Sequence, residues 1–248
     1  MVSRKGVRQS VMNPSVFPWV VVGALRREVV PLRKLCRPNL VFLQTGMGCE
    51  NADRGLRTLI REQPVSAVLG VGLAGALSPH LEIGDLVVGQ EIRGESLIVP
   101  PAALAQAAQH TQANGLRIHL GTLITRNQMA CTAEGKRELA VSMGVNGVGC
   151  VDMESWAVAR VCQESRIPYV IVRCISDVLS EDLPLDFNRF RLPNGNLDDR
   201  RIVISALMHP SCIGGLWKLA RQLTFCTRKL AEFVDQFVLY DPTSELKK

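Results

Sequence analysis

Aromatic residues are scarce in this 248-residue chain: three Trp, two Tyr and seven Phe make up 5% of it. Its basic stretches lack interleaved rings, which argues against a nucleic-acid groove, where bases stack on aromatics set among cations. Four histidines, at 80, 110, 119 and 209, are too scattered to suggest a metal centre. No pair of the eight cysteines (36, 49, 131, 150, 162, 174, 212 and 226) has CxxC spacing, and several lie inside apolar runs. Free, buried thiols in a reducing cytoplasm are expected, rather than a disulfide framework. There is no internal repeat, no low-complexity tract and no apolar run long enough to span a bilayer. The run Val16 to Leu25 follows Arg4, Lys5 and Arg8 as a signal peptide would, but it contains Pro18, ends in Arg26-Arg27-Glu28 and lacks a small-residue cleavage site. Residues 1–15 therefore read as a disordered basic leader, and Trp19–Leu25 as a first strand.

What the chain does have is Val, Leu, Ala and Gly. Hydrophobic residues form 47% of it, enough for a substantial core. The net charge of +6 is mild, with the basic residues concentrated in the first ten positions and after Arg189. Short apolar runs at Trp19–Leu25, Leu40–Thr45, Ala67–Leu73, Leu86–Ile92, Ile118–Thr125, Gly147–Val151 and Tyr169–Ile175 read as strands. Helical patterns at Asn51–Glu62, Ala102–Ala113, Ala133–Met143 and Ser155–Ser165 separate them. This alternation predicts a mostly parallel α/β sheet with helices on both faces. Residues 16–200 are expected to form the catalytic domain. Residues 201–248 are expected to add C-terminal helices, Arg201–Met208 and Ile213–Val238, packed on the same domain.

The glycines sit in the connections. Thr45-Gly46-Met47-Gly48 follows one strand, and Gly70-Val71-Gly72-Leu73-Ala74-Gly75 ends another. Glycines there let backbone N–H groups approach an anionic or hydroxyl-rich ligand. The GxGxxG spacing of Gly70, Gly72 and Gly75 lacks a following helix start and a suitably placed acidic residue, so a dinucleotide fold is not predicted. Residues 178–200 are polar and rich in Pro, Asp and Asn, as in a mobile loop over a site. In the last helix Leu216, Leu219, Leu223, Leu230, Phe233 and Phe237 recur at near-helical spacing, with Lys218, Arg221, Arg228 and Lys229 between them. Two readings stand: a helix packed on the sheet with a solvated basic face, or a weak contact with a membrane surface or lipid substrate.

The chemistry concentrates at two strand ends, Val151-Asp152-Met153-Glu154 and Val172-Arg173-Cys174-Ile175-Ser176-Asp177. Ligands of α/β sheets bind at such ends. Two acidic ends so close in sequence predict one pocket that hydrogen-bonds hydroxyls and protonates a leaving group. Together with Gly23-Ala24-Leu25-Arg26-Arg27-Glu28-Val29, Thr45-Gly46-Met47-Gly48 and Gly72-Leu73-Ala74-Gly75, these blocks resemble the nucleoside phosphorylase family. That family includes purine and uridine phosphorylases and methylthioadenosine/S-adenosylhomocysteine nucleosidase. The resemblance runs from about residue 19 to residue 190. It implies a single three-layer α/β domain around a mixed, partly barrel-like sheet flanked by helices, a homo-oligomer, a purine nucleoside as ligand and no cofactor or metal.

Residue by residue, the resemblance gives Glu154 and Met153 the ribose, and Asp177 the role of general acid at the purine, with Ser176 supporting it. Glu28 matches the carboxylate that activates water in the nucleosidases, and Arg173 orients the same region. Met129 falls where relatives place a ring against the base; Met47, Gly72 and Ala74 complete the substrate-binding set. Plainer alternatives stand beside these: a turn cap for Asp177, an ion-pair partner for Arg173, a solvated helix position for Glu28, and core for Met129. Phosphorylases of the family carry an Arg and a Ser where this chain reads Gly70 and Leu73. A leucine offers phosphate no partner, so hydrolysis is expected, with phosphorolysis using phosphate as co-substrate the alternative. Gly72-Leu73-Ala74-Gly75 and the basic tail are similar to the hopanoid-associated branch, which implies an adenosyl-lipid substrate. An inactive nucleoside-binding protein is the non-enzymatic reading.

Overall fold

A computed structural model describes residues 17–35, 37, 39–111, 115–192 and 196–239. The expected leader, residues 1–15, lies outside them. Among the described residues eight strands are formed: β1 Trp19–Gly23, β2 Leu40–Gln44, β3 Ala67–Ala76, β4 Leu86–Arg93, β5 Leu97–Ile98, β6 Ile118–Thr125, β7 Gly149–Asp152 and β8 Tyr169–Asp177. The helices are α1 Arg26–Arg33, α2 Cys49–Glu62, α3 Ala102–Gln109, α4 Ala133–Ser142, α5 Ser155–Glu164, α6 Asp199–Met208 and α7 Ile213–Leu239. A 3₁₀ turn, Phe187–Phe190, interrupts the polar segment after β8.

The sheet runs β2-β1-β3-β7-β6-β4-β5, and β8 pairs with both β3 and β4. β8 thereby closes β3, β7, β6 and β4 into a five-stranded barrel, from which β1 and β2 extend. Pairings of β3 with β7, β4 with β8 and β4 with β5 are antiparallel and the rest parallel, so the sheet is mixed. Every residue of β8 is buried, which is why that strand reads as one continuous apolar run rather than an alternating one.

Period-2 alternation sorts the strands onto two cores. Val20 and Val22 of β1 point to the core that contains Trp156 and Leu56. Trp19 and Val21 point to the one that contains Leu104, Phe233 and Phe237. Helices α2 and α5 cover the first face, and α3 and α7 the second. Trp19 meets Phe237 edge to face at 5.7 Å, anchoring the end of α7 to β1. The apolar stripe of α7 is divided. Leu230, Phe233 and Phe237 are buried against the sheet, whereas Leu216, Leu219 and Leu223 are half-buried over a pocket.

Two local features depart from the sequence reading. α1 follows β1 directly, although its internal Pro31 gives it a weak helical signature. β5 is a two-residue strand paired antiparallel to β4. The segment after β8 is tethered: Leu183 N–H donates to the Cys131 carbonyl at 2.8 Å, and Ala133 N–H donates to Asp182 Oδ1 at 2.7 Å. The seven described cysteines are free thiols.

Candidate active site

The barrel brings the two acidic strand ends together. At the β3–β8 register shift between Ala74 and Gly75, Gly75 pairs with Asp177 on one side and with Val151 of β7 on the other. A pocket of about 310 Å³ opens there, its walls including Glu28, Met47, Leu73, Ala74, Met129, Met153, Glu154, Ser176 and Asp177. Gly72 and Arg173 are not part of its wall and lie behind it.

Glu154 stands at the N-cap position of α5 but does not cap that helix. Its Oε1 instead accepts the Gly48 N–H at 2.7 Å. Gly48 has φ +95°, a left-handed conformation that glycine adopts without strain. Burial, followed by the nearby Asp152 carboxylate, pushes the Glu154 carboxyl up to about 7. Met153 is buried beside it, its carbonyl accepting from the Cys49 thiol at 3.3 Å.

Glu28 is the third residue of α1 and turns back to cap that helix. Its Oε2 accepts from Ala24 N–H at 2.9 Å and Leu25 N–H at 2.8 Å. Its Oε1 takes a longer bond of 3.2 Å from Leu73 N–H. Burial raises the Glu28 carboxyl above its usual value, against the opposing pull of those N–H groups and the Arg173 charge. Arg173 is fixed from the far side: its Nε donates to Asp152 Oδ2 at 2.5 Å and to Ser155 Oγ at 3.0 Å. Asp152 is further held by Thr125 Oγ1 at 2.8 Å. A Cβ at Gly72 would overlap the Arg173 guanidinium and lie 3.4 Å from Glu28 Oε1. The glycine expected to admit ligand therefore admits an arginine.

Asp177 accepts from Ser176 Oγ at 2.9 Å on Oδ1 and is paired with Lys136 Nζ on Oδ2. Lys136 is fully buried, and its ammonium also donates to the carbonyls of Val178 and Glu181, each at 2.9 Å. Three acceptors match the three protons of an ammonium. Burial raises the Asp177 carboxyl above its usual range, the Lys136 charge opposing it. Sequence reasoning missed Lys136 because it lies within the amphipathic α4, where a lysine reads as surface. It also missed Asn188, whose side chain accepts from Met129 N–H at 2.8 Å and donates to the Met129 carbonyl at 3.0 Å. That clamp fixes Met129 at the pocket wall.

The opposite end of the pocket is apolar. Leu183, Phe187, Leu197, Ile202, Leu216, Leu219 and Leu223 form most of it, with Asp199 at its edge, supplied by the segment after β8 and by α6 and α7.

The sequence profile of the phosphorylase superfamily matches residues 32–196, well over half of the chain. The chain belongs to the phosphorylase superfamily. This superfamily member is an enzyme of the nucleosidase or phosphorylase type, and its barrel and flanking helices recur in solved structures. One is the 5′-methylthioadenosine/S-adenosylhomocysteine nucleosidase from Neisseria meningitidis in complex with methylthio-immucillin-A. It has a TM-score of 0.69 and 19% identity, over 90% of this chain and 99% of that one. The corresponding nucleosidase from Colwellia psychrerythraea, in complex with adenine, has a TM-score of 0.70 and 17% identity, over 90% and 95%. Futalosine hydrolase of Helicobacter pylori has a TM-score of 0.70 and 20% identity, over 91% and 98%. At such identities the likeness lies in the fold; the superfamily member's own side chains must carry any statement about substrate.

Proposed function

We propose that the protein hydrolyses the N-glycosidic bond of an adenine nucleoside that bears a large apolar group at its 5′ position. One observation carries this reading: a single pocket joins the buried carboxylates Glu28, Glu154 and Asp177, with Asp152 beside them, to a largely apolar end built by α6 and α7. Glu154, with one oxygen held by Gly48, accepts from the ring hydroxyls, and Met153 packs against the sugar. Asp177, protonated, donates to the departing purine, so that the base leaves neutral. Glu28 takes a proton from a water molecule as that water attacks the anomeric carbon. Burial raises its carboxyl, which makes it a stronger base than an exposed glutamate. Arg173 acts through Glu28 and Asp152, as a positioning residue. Met47, Ala74, Met129 and Ser176 frame the base and sugar.

Water is favoured over phosphate by what lines the wall beside Glu28. Leu73 offers a side chain with no hydrogen bond to give, and Glu28 itself would repel an anion. Arg173 gives its Nε to Asp152 and Ser155 and is not in the pocket wall, which leaves Arg27 as the cation that a phosphate would have to use. The apolar end agrees with the resemblance to the hopanoid-associated branch, and the substituent it suits is a long or polycyclic hydrocarbon. The proposal is tested with adenosine, 5′-methylthioadenosine and a series of 5′-alkyl adenosines, without phosphate. Each methylene buried against Leu183, Leu216 and Leu219 is worth about 0.8 kcal/mol, roughly fourfold in kcat/KM. The expected result is adenine release whose kcat/KM climbs with chain length until the pocket is filled. A preference for plain adenosine would contradict it.

Lys136 sets the pH at which Asp177 can act. Asp177 donates only while protonated, so kcat/KM falls as pH rises through its pKa. Burial holds that pKa up and Lys136 pulls it down. Lys136→Met removes the pull, and the alkaline limb of the pH–rate profile should move up by about 1–3 pH units. The carbonyls of Val178 and Glu181 lose a donor, at about 1–3 kcal/mol each, so thermal unfolding should be followed alongside. An alkaline limb that stays in place in a folded variant would reduce Lys136 to a tether for the following loop.

A further inference from the structure

The elbow between α6 and α7 is apolar on both sides. Ile202, Leu216, Leu219 and Leu223 face the pocket. Val203, Ile204, Leu207, Met208, Ile213 and Trp217 face outward, with Leu207 70% exposed, Met208 72% and Trp217 66%. Half of the large apolar side chains exposed among the described residues fall in this short run, 203–217. A helix at a protein–water boundary ordinarily turns one apolar stripe inward and a polar face outward. α6 departs from this: none of its residues is buried, and Val203, Ile204, Leu207 and Met208 are exposed alongside Arg200 and Arg201. A contiguous exposed patch of this kind marks an interaction surface.

Its surroundings indicate what it meets. From Asp199 to Gln222 the chain carries Arg200, Arg201, Lys218 and Arg221 against a single carboxylate, Asp199. All four cations are exposed, although Lys218 also reaches Glu181 at 2.7 Å. The Arg221 guanidinium lies 5.0 Å over the Trp217 ring. An apolar projection carrying a tryptophan and edged by cations has the composition of a segment lying in a lipid headgroup region. The two helices meet at 113°, so the ends nearest His209 form a corner. Among the described residues no single helix is long and apolar enough to cross a membrane; α6 and α7 reach that length and composition only as a pair bent by 113°.

We infer that the α6–α7 elbow docks on an anionic lipid bilayer, with the outward apolar side chains of residues 203–217 in the acyl boundary and the cations at the headgroups. The apolar end of the pocket lies directly beneath the same two helices, so a nucleoside with a lipid-like 5′ group can pass from bilayer to active site without crossing water. The docking surface rests on exposure and charge and stands whether or not the proposed substrate is correct.

Flotation with phosphatidylglycerol/phosphatidylcholine vesicles, compared with phosphatidylcholine alone at 0.1 M salt, tests it without turnover. The partition coefficient should be at least tenfold higher on the anionic vesicles. Trp19 and Trp156 are buried, so a blue shift of tryptophan emission on binding reports Trp217. Leu207→Glu/Met208→Glu changes two exposed positions; it should abolish flotation while leaving the unfolding temperature and the turnover of a short-chain nucleoside unchanged. Failure to float on anionic vesicles with an unshifted emission would overturn the inference. So would a self-association abolished by the same double substitution, because a second copy of the chain would then cover the face.

Discussion

Replacing Asp177 by Asn should lower kcat for base release by about 10²–10⁴-fold while leaving nucleoside affinity within a few-fold of the parent. Asparagine keeps the shape of the side chain and can still accept from Lys136, but it cannot deliver a proton to the leaving purine. The buried Lys136 retains the carbonyls of Val178 and Glu181, so the fold should survive. Single-turnover adenine release, paired with equilibrium binding of the same nucleoside, separates the two effects. Unchanged turnover would remove Asp177 from the chemistry. Loss of binding in step with turnover would make it a binding residue instead.

Glu28→Gln carries the second large effect. The glutamine oxygen can still accept from Ala24 and Leu25 N–H groups, preserving much of the α1 cap, but the general base is gone. Hydrolysis should fall by about 10²–10⁴-fold, and the acidic limb of the pH–rate profile should disappear with it. The sign follows from the role: Glu28 works ionised, so activity in the parent rises with pH through its raised pKa. A phosphorolytic enzyme would behave otherwise. Removing a carboxylate beside an incoming phosphate would leave turnover unchanged or raise it, and that outcome would show Glu28 to be only a helix cap.

Much of this was legible in the sequence. Strand ends such as Asp177 were readable because a fully buried strand is a continuous apolar run, and a carboxylate that terminates one has few structural excuses. β6 was located to the residue, and the other long strands to within about three residues at each end. What escaped has a common cause. Barrel closure depends on β8 pairing with β4 and β3 at once, a non-local register that no local pattern encodes. Lys136 and Asn188 look like surface residues in one dimension. They gain partners only when the segment after β8 folds back over α4, where it is hydrogen-bonded at Leu183, Asp182 and Asn188. Gly72 shows the limit of motif reasoning. Its missing Cβ was assigned to a ligand, whereas the space is taken by Arg173. For the last helix two readings stood side by side, packing on the sheet or contact with a membrane or lipid substrate; α7 meets the sheet with Phe233 and Phe237 and lines the pocket with Leu216 and Leu223.

The central claim is that water, rather than phosphate, attacks the sugar. Incubating the protein with a 5′-alkyl adenosine in ¹⁸O-labelled water, with and without phosphate, and weighing the sugar product by mass spectrometry tests it most directly. Hydrolysis gives free adenine in both cases and a sugar that has gained one ¹⁸O atom at its anomeric carbon. Adenine released only with phosphate present, together with a sugar 1-phosphate free of the label, would contradict it.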